Sequence, residues 1–305
     1  MGFLQSGGYA LICFFLIYSF LGWCVEVCFS AIRKGICVNR GFLNGPVCPI
    51  YGFGMIIIST VLGQLKDNLL WLFLGSVVFC SLLELVTGYL LKQLFHTSWW
   101  DYSKEKFQLG GYICLRFSLV WGLAGTAVMK IVHPAISVGV DFLRNPAGCS
   151  LLAVFLAMLA IDCVVTLNTI SKLNRNLGEI THLTRLLQAT GDVLAENLAE
   201  NAQNAHEKYT EGKDVLEQTK EAFVDGAQIR YVEGKEAFSQ KKSEFTHSAH
   251  QKYAELNRRL EALRDELQDT RLFGAGRLLR AFPKMKSKDY TEALEDILKR
   301  IHRKK

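Results

Sequence analysis

The chain has 305 residues, 50% of them apolar, with 21% charged and a net charge of +6. These averages cover two unlike halves: residues 1–170 hold 10 Lys/Arg and 7 Asp/Glu, whereas residues 171–305 hold 25 and 22. That division excludes a secreted disulfide scaffold, a single soluble enzyme domain and a disordered chain, and a balance of +3 in each half does not describe a nucleic-acid binder, so no nucleic-acid partner is expected.

The fold class expected is an all-α integral membrane protein: about five transmembrane helices, then a long cytoplasmic helical, coiled-coil-like tail. The first region, 1–170, contains five runs near the roughly 20 residues needed to cross a hydrocarbon core. They are about 8–32, 48–65, 69–95, 112–132 and 147–167, the second being short and interrupted by glycine. The first is too long, and holds Glu26 too deep, for a cleavable signal peptide. Nine basic residues flank one side (Arg33, Lys34, Arg40, Lys92, Lys104, Lys106, Lys172, Arg175, Arg185) and three the other (Lys66, Lys130, Arg144). The bias predicts a cell-membrane protein with its N-terminus outside and its tail in the cytoplasm.

All nine cysteines lie in the apolar half without a Cys-x-x-Cys pair, and Cys24 and Cys28 share a helix face with no further ligand at metal spacing. Apolar packing is the reading, with no metal and no cofactor. Ionisable residues inside the spans are more informative, because each costs about 2.5–3.5 kcal/mol at mid-helix on insertion scales and pairs or lines a wet cavity. Glu26, Glu84, Arg116 and Asp162 fall at similar depth in the cytoplasmic half, which predicts an inward-facing polar cluster, whether a structural bridge or a substrate or proton site.

Two inner loops converge on that depth. The first, from Asn39 to Gly54, carries Arg40 as well as Gly41 and Gly45 for turns and Pro46 and Pro49 for a helix start that Asn44 could cap. Its free N–H groups beside Arg40 suggest an anion pocket, against the plainer reading of a rigid re-entrant turn. In the second, Trp99, Trp100 and Tyr102 suit an interfacial belt. Asp101 between them needs a cation, for which Arg40 or Arg116 is the expectation. No Ser/His, Cys/His or metal constellation accompanies these residues, so no catalytic residue is assigned and the chain is not read as an enzyme.

These stretches carry a family resemblance. Ser19-Phe20-Leu21-Gly22-Trp23 with Glu26, Asn39-Arg40-Gly41-Phe42 with Gly45-Pro46, and Cys48-Pro49-Ile50-Tyr51-Gly52 form its first part. Glu84 and Gly88, Trp99-Trp100-Asp101-Tyr102-Ser103, Gly111 with Ile113-Cys114-Leu115, Ser118, Trp121-Gly122 and His133-Pro134 complete it. Over about residues 8–145 the chain resembles the CmpB-like putative ABC-transporter permease family (type IV). It departs from that pattern in having Gln108 after Phe107, where an Asn is frequent. The resemblance implies a permease of an ATP-driven transporter. A G-x-x-x-x-G-K-[ST] loop is missing, since neither Gly212-Lys213 nor Gly234-Lys235 has a glycine at the required position, so ATP hydrolysis is expected from a separate ATP-binding subunit.

Residues 171–270 read as a cytoplasmic helical region, its apolar stripe running from Tyr209 to Leu267 at steps of about two turns. The heptad Tyr253, Leu256, Leu260, Leu263, Leu267 predicts self-association or a partner helix, and a helix of such length is expected to bend at its glycines. Residues 271–305 form a basic amphipathic segment and a terminal helix. Arg271 to Lys288 holds six basic residues and no acidic one, which suits an anionic bilayer surface. Two other function classes compete with transport: a membrane scaffold presenting a coiled coil, and an enzyme acting on lipid headgroups.

Overall fold

The computed structural model describes residues 7–35, 38–218, 226–269 and 274–303. Cys37, Phe223 and Arg271 lie outside them, as do the side chains of Arg33, Lys34 and the stripe from Tyr209 to Phe245. The chain divides into two units, Met1–Leu177 with Glu266–Lys305, and Gly178–Asp265.

In the first unit the helices are α1 (Tyr9–Lys34), α2 (Pro49–Val61), α3 (Leu69–Phe95), α4 (Leu115–Ala127), α5 (His133–Phe142) and the first part of α6 (Pro146–Gln218). A π-helical turn, Val128–Val132, joins α4 to α5 where Pro134, lacking an N–H, interrupts the ordinary ladder. Among the described residues four helices are long and apolar enough to cross a membrane: Tyr9–Ile32, Leu69–Phe95, Leu115–Phe142 and Pro146–Asn197. The segment expected as a second span differs. Its helix has 13 residues, about 20 Å at 1.5 Å per residue, against a hydrocarbon core of about 30 Å. Residues 38–48 before it are irregular because two glycines and a proline fall within eleven positions.

Neighbouring helices run antiparallel. α2 starts halfway along α1, where the Cys48 N–H donates to the Ser19 carbonyl at 2.9 Å, and climbs toward the start of α1. Tyr18, Met55, Ile58, Leu62, Leu72 and Met129 form the core at that end, and Tyr9, Cys13 and Val140 a second one beside it. Small residues permit the approach: a Cβ on Gly52 would stand 2.3 Å from Ser19 Oγ and 2.5 Å from the Phe15 carbonyl oxygen. Outward faces stay apolar and exposed, with Val25, Phe29, Val78, Leu82, Leu123 and Ile161 among them.

Among the described residues, two antiparallel ribbons of two-residue strands interrupt the helices. β2 (Gln108–Leu109) pairs with β3 (Ile113–Cys114). β1 (Thr97–Ser98) pairs with β4 (Lys286–Ser287), which follows α8 (Ala275–Ala281) and precedes α9 (Thr291–Arg303). Leu278, Leu279, Leu294, Ile297 and Ile301 are buried, so the end of the chain packs within the apolar unit.

In the second unit α6 continues and α7 (Gly226–Asp269) runs beside it. Leu183, Leu187 and Leu260 are buried, and the ring of Tyr253 comes within 3.9 Å of a Cβ built on Gly191. The expected bend at the glycines is not seen within α6, which passes through Gly191 and Gly212 unbroken.

Candidate functional site

The loop before α2 ties itself into shape through one amide. Asn39 Oδ1 accepts from the Gly41 N–H at 2.9 Å and from Trp23 Nε1 at 2.8 Å, while its Nδ2 donates to the Asn44 carbonyl at 2.7 Å. Asn44 does not cap α2. Its backbone N–H and Nδ2 donate to Asp162 Oδ1 at 3.0 and 3.1 Å, and Nδ2 reaches Thr166 Oγ1 at 2.9 Å. The Gly45 N–H donates to Asp162 Oδ2 at 2.7 Å. A carboxylate on α6 therefore answers two backbone N–H groups that no helix or strand satisfies, which is how irregular backbone is tolerated among spans. The N-cap of α2 is Cys48, without a side-chain cap, and Pro49 occupies the first turn as expected.

The loop's carbonyls are met from the far end of the chain. Arg277, 1% exposed, donates Nη1 to the Gly41 carbonyl at 2.8 Å and Nη2 to that of Phe42 at 3.0 Å. Burial pushes its guanidinium down to about 10, with the Asp162 charge opposing the shift, so it stays charged at neutral pH. Arg277 was not legible as a site residue, because it sits in a run whose six charges suggest a surface. Its only signal is the flanking Gly276, Leu278 and Leu279.

Just beyond the loop, Tyr51 donates its hydroxyl to Glu26 Oε1 at 2.6 Å, and Arg40 Nε lies 3.5 Å from Glu26 Oε2. Tyr51 reaches α1 over Gly22, where a Cβ would come within 2.3 Å of its ring, and its other side meets Trp121 edge-on at 5.6 Å. Glu84 is buried and accepts from the Tyr102 hydroxyl at 3.1 Å. The structure thus brings Glu26, Arg40, Tyr51 and, on the loop's other flank, Asp162 around residues 39–51, while Glu84 joins the second loop.

Arg116 does not join them: its side chain is 68% exposed and faces Glu105 at 3.9 Å. Nor does Asp101 pair with Arg40 or Arg116. Its Oδ2 lies 2.7 Å from Lys286 Nζ on β4, and its Oδ1 accepts from the Ser103 N–H. The Lys286 hydrogen bond holds the Asp101 carboxyl down at about 2. Trp99 departs from the interfacial reading, being 3% exposed and packed against Phe42, Phe95 and Phe282. Trp100 lies over Gly88 and donates to the Tyr112 carbonyl at 2.8 Å. Among the described residues no three metal-ligating side chains gather.

Apolar helices of spanning length, closed around a polar loop and its carboxylates, define an all-helical membrane protein. The family model described as putative ABC-transporter type IV matches residues 13–167, and the chain belongs to that family. The matched stretch holds Glu26, Arg40, Glu84, Asp101, Arg116 and Asp162; Arg277 and Lys286 lie beyond it. No curated protein and no solved structure matches the chain.

Proposed function

We propose that this chain is the permease-like component of an ATP-driven transporter, drawing hydrolysis from a separate ATP-binding subunit. The observation that carries the reading is the broken helix. Irregular residues 38–48 followed by a 13-residue α2 stand level with the middle of α1, beside Glu26, Arg40 and Tyr51. Non-helical backbone at that depth marks binding sites in transporters, where helix starts and loop groups meet the substrate. In this reading residues 38–61 make the second of five passes, half loop and half helix. The N-terminus is then outside and the tail cytoplasmic, as the nine-to-three basic bias favours.

The test is purification from the native host in mild detergent, followed by reconstitution. A nucleotide-binding subunit should accompany the chain and support ATP-stimulated flux, which Glu26→Gln or Arg40→Ala abolishes with insertion and detergent stability unchanged. Consistent absence of that subunit, with no flux, retires the transport reading. A scaffold role is the second reading. It is favoured by the pairing of Asp162, Glu26 and Asp101 inside the chain and by the separate helical unit Gly178–Asp265. Glu26→Gln would then act only through abundance.

A further inference from the structure

Each acidic side chain around the two loops is answered differently. Glu26 has Arg40 and the Tyr51 hydroxyl, Asp162 has two backbone N–H groups and Asn44, and Asp101 has Lys286. Glu84 has only neutral groups, the Tyr102 phenol and the Trp121 indole near it. It is 7% exposed, the least exposed carboxylate of the set, its Oε1 accepts from Tyr102 at 3.1 Å, and its Oε2 has no hydrogen-bond partner.

Among the described residues, the groups facing it from the packed elements bring no cation. α2 offers Tyr51, already donating to Glu26. α4 offers the Trp121 indole near the carboxyl, and its own basic residue, Arg116, is turned out toward Glu105. The second loop offers Tyr102, with Cys114 of β3 beyond it. On α3 itself Cys80 lies one turn before, and Lys92 places its ammonium over the Tyr112 ring at 5.4 Å. An ionised carboxylate in such surroundings costs several kcal/mol, whereas a neutral carboxylic acid avoids that cost and still accepts from Tyr102.

We propose that Glu84 is a proton-binding site of the membrane unit, its ligand a proton carried on Oε2 while Oε1 keeps the Tyr102 hydrogen bond. One proton added to the carboxylate gives the neutral acid, and its release leaves an uncompensated charge between α3 and α4. Tyr102 links that event to the loop surface, being the next residue to the Asp101–Lys286 pair. This goes beyond the transport reading and stands without it: a proton signal with no flux keeps the site and removes only the permease.

The test is infrared difference spectroscopy on the full chain in neutral phospholipid vesicles, stepping pH upward. Wild type should show a protonated-carboxyl C=O band at neutral pH that shifts in D2O and is lost in alkali; Glu84→Gln should lack it. Tyr102→Phe should keep the band at a higher frequency, since the carbonyl loses its donor. An unchanged spectrum in Glu84→Gln overturns the proposal. Should that variant fail to fold, an unshifted band in Tyr102→Phe overturns it instead. Melting offers a second readout. A proton held in the folded state stabilises at low pH and is lost as pH rises, so wild type should soften in alkali more than Glu84→Gln.

Discussion

Arg277 and Gly41 stand 236 positions apart, yet the guanidinium of one donates to the carbonyl of the other at 2.8 Å in a place closed to solvent. Asp162 takes the N–H groups of Asn44 and Gly45 from α6, and Arg277 takes the carbonyls of Gly41 and Phe42 from α8. Two side chains of opposite charge therefore do for this loop what a helix ladder does elsewhere. Removing either leaves buried backbone groups unanswered.

Arg277→Ala should accordingly destabilise the membrane unit by about 2–4 kcal/mol, the range for losing charged hydrogen bonds to buried acceptors. Arg277→Lys should recover only part of this, because an ammonium lacks the planar fork that reaches both carbonyls. Detergent melting curves decide it, and a lysine variant as stable as wild type would show that charge alone holds the loop.

The close approach of α1 and α2 predicts a harsh response to a single methyl. Gly52→Ala sets a Cβ against the Phe15 carbonyl, which as backbone cannot rotate away, and Gly22→Ala sets one into the Tyr51 ring. The helices must part, at a cost of about 1–3 kcal/mol or more, and the 2.6 Å Tyr51–Glu26 hydrogen bond is lost with them. Gly54→Ala is the control, since its new methyl meets only the Leu83 side chain at 3.6 Å. Equal melting temperatures for Gly52→Ala and Gly54→Ala would refute the packing argument.

Buried Leu260, with Leu183 and Leu187, makes a third case. The heptad from Tyr253 to Leu267 predicted pairing with a copy or partner, but in Gly178–Asp265 this residue is already covered within one chain. Leu260→Ala should cost about 2–5 kcal/mol locally and speed amide exchange along α7 in the full-length protein. The acceleration should be the same at every protein concentration. A dependence on concentration would return the heptad to intermolecular pairing.

That the chain carries apolar helices long enough to cross a membrane was legible, because hydropathy and length are local properties, though four such helices rather than five stand among the described residues. Pro49 at the start of α2 was legible too. The shortness of α2 was visible in its glycines, but a hydropathy window cannot tell a short helix from a span whose first half is loop. Pairings were harder. Arg116 lies in apolar sequence yet opens outward toward Glu105, and Arg277 lies in basic sequence yet is buried, because its partners Gly41 and Phe42 come from a loop more than 200 positions away. Asp101 needed a cation, as read; its supplier, Lys286, arrives through a two-residue strand that no periodicity reveals.

That last pair sets a pH dependence whose sign can be worked out. Lys286 holds the Asp101 carboxyl at about 2, below the value of about 3.9 for an unfolded aspartate. A lowered folded value means stability that is fully present above the unfolded value and lost as pH falls toward the folded one. The Asp101–Lys286 contact should therefore be insensitive to pH down to about 4 and weaken between there and about 2. Lys286 is 61% exposed, so solvent screening keeps the contribution at or below about 1 kcal/mol. The effect is then local: loosening of β4 from β1 and of the Lys288 N–H from the His96 carbonyl, 2.8 Å apart. Spin labels at the exposed positions 104 and 288 should report one narrow distance at neutral pH. That distance should broaden on acidification through this window, and Asp101→Asn should show the broadened distribution already at neutral pH. A distribution that stays narrow in Asp101→Asn would mean that strand pairing and the Trp99–Phe282 contact hold the segment without the ion pair.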